Sequence, residues 1–374
     1  MPPPRPPPVL ADDAVGEILL RFPPDDPASL ARASVVLKSW HRLLSESAFP
    51  HHYRTLHRVP PLLGFLYNQY CSSEDIILPR FVPTATPSPP FSPPPDGDIC
   101  CWALDCRHGR VLILDSESQN LIVWDPISGD QEEVLLPDFH YTESTAAVLC
   151  PVDHCNHLEC SGGPFRIVFK GTDDDDDIYD NTWLCVYSSE TGTWSVPISI
   201  HIDPILNPCN VTERSLLIGD AVYFTLEDGQ RVLKYDMGRN VLSLIILPPL
   251  YQGNRILVAA EDYSLGIAGV EGYSLHLLWR LDLDGSDEQW VSGSVIKLDT
   301  MLPRASGDPS TRLDVVGFAE RASIVFISSN AGIFKVETKS GQVRKVDERG
   351  KLGDIFPYES FYIPVSFALT FLKS

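Results

Sequence analysis

One short phrase recurs five times in this 374-residue chain, and it limits the possible folds more than any other feature. It is a β-rich run, then a turn containing Gly, then a second run that begins near an aromatic or β-branched residue. The copies are Ile122-Val123-Trp124-Asp125…Gly129, Cys185-Val186-Tyr187-Ser188…Gly192-Thr193-Trp194, Leu233-Lys234-Tyr235-Asp236…Gly238, Trp279-Arg280-Leu281-Asp282…Gly285…Trp290 and Phe334-Lys335-Val336-Glu337…Gly341. They return roughly every 45–65 residues, and each is preceded by one or two more β-like runs. Those runs include Val111–Leu114, Ile167–Phe169, Ala221–Thr225, Leu265–Val270 and Ser323–Ile327.

Sheets of about four strands at this period are the pattern of a β-propeller. Five units are visible. A sixth is expected from Leu62–Tyr67 or Ile99–Leu104 combined with Phe361–Phe367, which would close the ring. The 33 Pro and 24 Gly suit a chain of many turns and few long helices. An open β-sandwich is the competing arrangement. The lack of helical stripes after residue 60 argues against an α/β fold.

The first 60 residues have a different period. Residues 1–8 are Pro-rich and read as a disordered tail. Residues 9–58 then read as a small all-α module. Asp12 and Asp13 are candidate caps for a first helix, whose apolar stripe is Val15, Ile18, Leu19 and Phe22. Pro23-Pro24 ends it. Asp26 caps a second, with Pro27 at its first position and Leu30, Ala31 and Ala33 along it. A third presents Val36, Trp40, Leu43 and Leu44, and a fourth segment Phe49, Tyr53 and Leu56. So small a unit buries little surface alone. Leu10, Leu20, Val35 and Leu37 also lie off the stripes, and that surplus suggests docking against another helical protein or against the domain that follows.

The run Leu10-Ala11-Asp12-Asp13…Glu17-Ile18-Leu19-Leu20-Arg21-Phe22-Pro23…Leu30…Val36-Leu37-Lys38-Ser39-Trp40…Leu43-Leu44 resembles an F-box. That motif opens Leu-Pro-Asp-Asp/Glu, continues Glu-Ile-Leu-x-Arg-Leu-Pro and closes Val-Cys-Lys-x-Trp; this chain departs from it at Ala11 and Leu37. The resemblance implies docking onto a Skp-family adaptor and, through it, a cullin ubiquitin ligase. Leu10, Ile18, Leu19, Leu30, Val36 and Trp40 are carried over as contributors, some of them as internal core. Further on, Ala103-Leu104-Asp105-Cys106-Arg107-His108-Gly109-Arg110, Trp124-Asp125-Pro126 and Phe356-Pro357-Tyr358 are similar to the grass-type plant F-box proteins with an F-box-associated propeller or kelch-like domain. The family role is substrate recruitment; an interaction scaffold outside ubiquitin transfer is the alternative, and a propeller enzyme the third reading. The expected organisation is therefore a helical module at 9–58 and an all-β propeller at 59–374, with a Pro-rich loop at 83–95 and an acidic loop at 172–181.

Charge narrows the partners. Residues 1–60 hold seven Lys/Arg and six Asp/Glu, so nearly all of the net −21 falls on the large domain. Such a surface repels phosphate backbones and anionic membranes, so neither nucleic acid nor membrane is expected as a partner. No signal peptide and no membrane span is read, so the nine Cys are expected to be free thiols in the cytoplasm or nucleus. The sequon Asn210-Val211-Thr212 is then inert.

No chemical motif stands out. Cys150, His154, Cys155, His157 and Cys160 fall within eleven residues, but their Cys spacing is x4 and x4 rather than the usual x2 of zinc sites. The expectation is a loop with incidental thiols, no metal and no cofactor. Cys106 and His108 alternate near a turn without an orienting third group, so no catalytic residue is expected. Asp173–Asp177 lacks the spaced ligands and Gly of a calcium loop and reads as a solvated run. The Pro-rich stretch at 83–95 reads as a plain exposed loop.

Overall fold

The structure is a computed structural model that describes residues 10–71, 76–84, 91–94, 101–152, 155–160, 162–173, 180–203, 214–226, 229–248, 255–260, 262–281, 289–299, 312–350 and 352–364. The tail at 1–8, the sequon at 210–212, His154 and most of the Asp173–Asp177 run lie outside these residues.

Four short helices come first: α1 (Asp12–Leu20), α2 (Pro27–Val36), α3 (Lys38–Ser45) and α4 (Ala48–His57). Pro27 opens α2 as expected, because its missing N–H costs nothing at a first turn. Asp12 and Asp13 do not cap α1. Ala11 holds that position, and the two carboxylates sit in the first turn, where the helix dipole favours them. Asp12 also meets Arg42 of α3 at 2.6 Å. No helix among the described residues is long and apolar enough to cross a membrane.

The rest is β. β1 (Leu62–Cys71) and β2 (Ile76–Pro83) form a hairpin. Blade 1 is β3 (Cys101–Arg107), β4 (Arg110–Asp115), β5 (Asn120–Trp124) and β6 (Gln131–Leu135), paired in that order. Blade 2 is β7 (Glu143–Leu149), β8 (Arg166–Asp173), β9 (Asp180–Ser188) and β10 (Thr193–Trp194), with β11 (Ile198–Ile202) continuing the outer edge on β9. Blade 3 is β12 (Ser215–Ile218), β13 (Ala221–Thr225), β14 (Arg231–Asp236) and β15 (Val241–Ile246). Blade 4 is β16 (Arg255–Ala259), β17 (Leu265–Glu271), β18 (Ser274–Leu281) and β19 (Gln289–Lys297). Blade 5 is β20 (Asp314–Ala319), β21 (Ile324–Ser329), β22 (Gly332–Glu337) and β23 (Val343–Asp347). The final strand β24 (Ile355–Glu359) returns to pair antiparallel with β1, making blade 6 in the order β24-β1-β2.

This is a six-bladed propeller, and the ring settles it against an open sandwich. All five copies of the recurring phrase fall on the third strand of a blade, and in blades 1, 2, 3 and 5 the turn that follows it is described as well; residues 282–288 of the fourth copy lie outside the described residues. The reason for the repetition is local. In blade 1, Asp125 Oδ1 accepts the backbone N–H of Ile127 at 2.8 Å, while the Gly129 N–H returns to the Asp125 carbonyl at 2.8 Å. Blades 2 and 5 make the same return, Gly192 to Ser188 and Gly341 to Glu337. A residue and a Gly four positions further on close the hairpin without tertiary help.

The sixth blade differs in detail from expectation. Leu62–Tyr67 does take part, but its C-terminal partner is Ile355–Glu359; of the expected Phe361–Phe367, residues 361–364 form no strand and 365–367 lie outside the described residues. Phe361 instead leaves the sheet and packs, with Ile363, into the core of the helical module. Cys101–Leu104 belongs to the inner strand of blade 1. The inner strands β24, β3, β7, β12, β16 and β20 surround the axis, and residues of β24, β3, β12, β16 and β20 line the central channel.

Candidate protein-interaction site

The helical module sorts its apolar residues into two sets. Val15, Leu19, Leu30, Ala33, Leu44, Phe49 and Tyr53 are buried together, and Phe361 and Ile363 of the propeller complete that core. Tyr53 sits at the junction. Its hydroxyl donates to the Phe22 carbonyl at 3.0 Å, and its ring meets Phe361 edge-on at 6.1 Å. Burial, with Asp25 and Asp26 nearby, pushes that hydroxyl above its usual range. The module is therefore docked onto the propeller and shares its core with it.

The second set stays in solvent: Leu10 is 54% exposed, Ile18 47% and Val36 59%, with Val35 and Leu37 exposed beside Val36. Trp40 is partly buried, packed on the module core. Of the six residues carried over from the resemblance, Leu19 and Leu30 have no accessible surface and are corrected to core. They cannot touch a partner; they hold in place the helices whose other faces can. Val35 and Leu37 join the exposed set. Their off-stripe positions were the only signal in the sequence.

The module sits at the end of the channel where the inner strands finish. Phe361 follows β24, and Leu158, which packs on the module core, follows β7. The other end of the channel is the one at which the inner strands begin.

Inside the channel, the motif around Asp105 and Arg107 proves structural. Arg107 is buried, and its guanidinium joins its own strand β3 to β12 and to the residue that follows β20. It donates to Asp105 Oδ2 at 2.5 Å, to Ser215 Oγ at 2.9 Å, to the Ser215 carbonyl at 2.7 Å and to Glu320 Oε1 at 2.7 Å. Asp105 Oδ2 in turn accepts the Val148 N–H of β7 at 2.8 Å. Blades 1, 2, 3 and 5 are thus tied across the axis by one cation and two carboxylates. Burial pushes the Asp105 carboxyl up against the pull of Arg107, and the two carboxylates raise Arg107. Below this hub, Glu359 accepts the N–H groups of Arg321 and Ala322, and burial lifts it to about 7.

Cys106 and His108 flank this hub and neither is activated. Burial, then Asp105, drives the Cys106 thiol well above its usual value, so it is not a thiolate at neutral pH. His108 is pushed down to about 2, first by burial and then by His157 and the guanidinium groups of Arg107, Arg321 and Arg110. With His108 at φ 55° and Gly109 at φ 76°, the pair is the tight turn between β3 and β4.

The three segments that carried the propeller resemblance meet at the ring closure. Ala103, Trp124, Phe356 and Tyr358 share one buried cluster, and the Tyr358 hydroxyl donates to Gly109 and Asp125. Part of the Pro-rich stretch is drawn in as well. Phe91 lies 4.6 Å from Phe81, centroid to centroid, and Ser92 N donates to the Pro126 carbonyl at 2.8 Å. That stretch is therefore not wholly an exposed loop, though residues 85–90 lie outside the described residues.

The connection from β7 to β8 brings together side chains that their spacing marked only as incidental thiols. The ligand atoms of Cys150, Cys155, His157 and Cys160 all lie within 4.8 Å of one another. The missing x2 pair is supplied by His157 and Cys160, which a count of Cys-x2-Cys alone overlooks. Of the acidic run on the β8–β9 connection, only Asp173 is described; it pairs with His140 at 3.2 Å.

Comparison with known proteins bears on the propeller. A family model described as F-box protein AT5G49610-like, beta-propeller, matches residues 102–365. No curated protein matches the chain. Similar solved structures include apo AztD from Citrobacter koseri, 10% identical over 75% of this chain and 78% of that one, with a TM-score of 0.37. A functionally unknown protein from Desulfotomaculum acetoxidans is 10% identical over 79% of this chain and 89% of that one, with a TM-score of 0.41. A chain of a nidogen–laminin complex is 11% identical over 79% of this chain and 98% of that one, with a TM-score of 0.40. Likenesses this distant say nothing about ligands.

Proposed function

The chain belongs to the F-box protein AT5G49610-like β-propeller family, and from that premise we propose that it is the substrate-recognition subunit of a Skp–cullin–F-box ubiquitin ligase. The family and the fold support a protein-interaction role. The finer reading assigns residues 9–58 to docking a Skp-family adaptor and residues 59–374 to holding a target protein. It rests on one observation above the others. Leu10, Ile18, Val35, Val36 and Leu37 stay in water on a module that already has a complete core, and they fall within the F-box-like run. Apolar side chains left out of a finished core are free to enter a partner's groove.

The channel end at which the inner strands begin is the proposed target side. The chain would act by proximity, raising the local concentration of target near the ubiquitin donor, with no covalent step on its own residues. Its described cysteines are free, as suits the cytoplasm or nucleus.

Affinity capture of the full chain and of a chain lacking residues 1–58 tests this. The full chain is expected to bring down a Skp adaptor and cullin, and the truncated chain neither. Equal capture by both forms contradicts the docking assignment. Capture of adaptor without cullin replaces ubiquitin transfer with a scaffold role.

A further inference from the structure

We propose that Cys150, Cys155, His157 and Cys160 form a structural zinc site that clamps the connection between β7 and β8 and, through it, holds the helical module on the propeller.

The donor set is the first support. Three thiols and one imidazole are soft and borderline ligands, and four of them fill a tetrahedral zinc shell with no open position. Tetrahedral bonds of the usual Zn–S and Zn–N lengths put neighbouring ligand atoms about 3.5–3.8 Å apart. Cys160 Sγ and His157 Nδ1 are 3.7 Å apart, and all four ligand atoms fall within 4.8 Å. A disulfide does not account for the cluster, because it would consume two thiols and leave a third and the imidazole facing them.

The surroundings support the ligands as a zinc second shell does. The backbone N–H of His157 donates to Cys155 Sγ at 3.3 Å, the kind of bond a bound thiolate accepts. The His157 ring stacks on His108 at 4.0 Å, which fixes its plane. His157 itself has φ 55°, a strained backbone for a side chain of its size, held where it turns the imidazole toward Cys160. Three thiolates and a divalent ion leave one net negative charge. Arg110 lies beside it and donates to the carbonyls of Cys160 and Gly163. Arg321 donates to the Asn156 carbonyl at 3.0 Å.

The same loop joins the two parts of the chain. Leu158 packs on the module core, and Glu159 Oε1 meets His51 Nδ1 of α4 at 2.5 Å. Residues 155–160 have no strand or helix of their own. A four-ligand ion gives such a loop a fixed shape, and its binding free energy adds to folding.

The test uses the full chain purified without chelator. About one zinc per chain is expected by elemental analysis. Replacement by cobalt is expected to give the intense thiolate-to-cobalt absorption and the visible bands of a tetrahedral site. Cys155→Ser and Cys160→Ser should each lose the bound metal, His157→Cys should keep it, and Cys71→Ser should match the wild type. Chelation should speed proteolytic cleavage between α4 and β1 several-fold. The wild-type cobalt spectrum does not depend on how any variant folds. A wild-type chain that takes up neither zinc nor cobalt, or binds cobalt without the thiolate band, overturns the proposal. So does a Cys71→Ser chain that loses as much metal as Cys155→Ser.

Discussion

The Tyr358 hydroxyl donates to the Gly109 carbonyl at 3.3 Å and to Asp125 Oδ1 at 3.4 Å, so the last strand of the ring is bonded to the first blade. The residue is fully buried, with Phe81 and Phe91 edge-on against its ring. This contact brings the three family-like segments to one point, where the ring closes.

Removal of that hydroxyl should loosen the closure. Tyr358→Phe is expected to cost about 1–3 kcal/mol, because it leaves the buried Gly109 carbonyl and the half-buried Asp125 carboxylate short of a donor. Denaturant unfolding of the full chain, followed by tryptophan fluorescence, reads the change. An unmoved midpoint contradicts the assignment.

Arg107 should be costlier to lose. Arg107→Met strands the Asp105 carboxylate in the channel and is expected to cost roughly 3–5 kcal/mol. The double variant Asp105→Leu with Arg107→Met should recover part of that loss, since a well-filled apolar pair often replaces a buried ion pair at little cost. The two midpoints, compared in one unfolding series, decide it; a double variant less stable than Arg107→Met goes against the hub as described.

Glu359 supplies a pH dependence. Its folded value stands at about 7, above the 4.5 of a free Glu side chain. The folded state therefore keeps a proton that the unfolded state gives up. Its contribution is fully present below about pH 4.5 and declines as pH rises toward about 7, beyond which it changes no further. Glu359→Gln should remove this slope. Melting temperatures of both chains between those limits check the prediction, and parallel curves would contradict it.

How much of this was legible in the sequence follows from how local each signal is. The five turn phrases were readable because each hairpin closes on its own residues, as Asp125 and Gly129 do. The helical module was readable from its 3.6-residue stripes and its proline stops. The strand that closes the ring is not legible by pattern, because Ile355–Glu359 and Phe361–Ile363 are both short apolar runs. Only tertiary packing sends the first to β1 and the second to Tyr53. Leu19 and Ile18 are adjacent and equally apolar, so no pattern tells core from surface there; the neighbouring helices decide. The Arg107 hub was invisible, since its partners Ser215 and Glu320 lie 108 and 213 residues away. The Cys/His cluster does not show in the Cys spacing, because it takes the fold of the connection to bring His157 to the three thiols.

The central claim is that the helical module docks a Skp-family adaptor through residues its own core leaves exposed. Its most direct test is the affinity of the full chain for a purified adaptor, with and without Ile18→Asp and Val36→Asp. Surface changes of this kind should shift stability by no more than about 0.5 kcal/mol. Affinity should fall by about tenfold or more, because each charge would be buried unpaired in the partner's groove. Leu19→Ala marks the other behaviour: a stability loss of about 2–5 kcal/mol from the core. A chain carrying both aspartates that stays folded and binds the adaptor as tightly as the wild type contradicts the account.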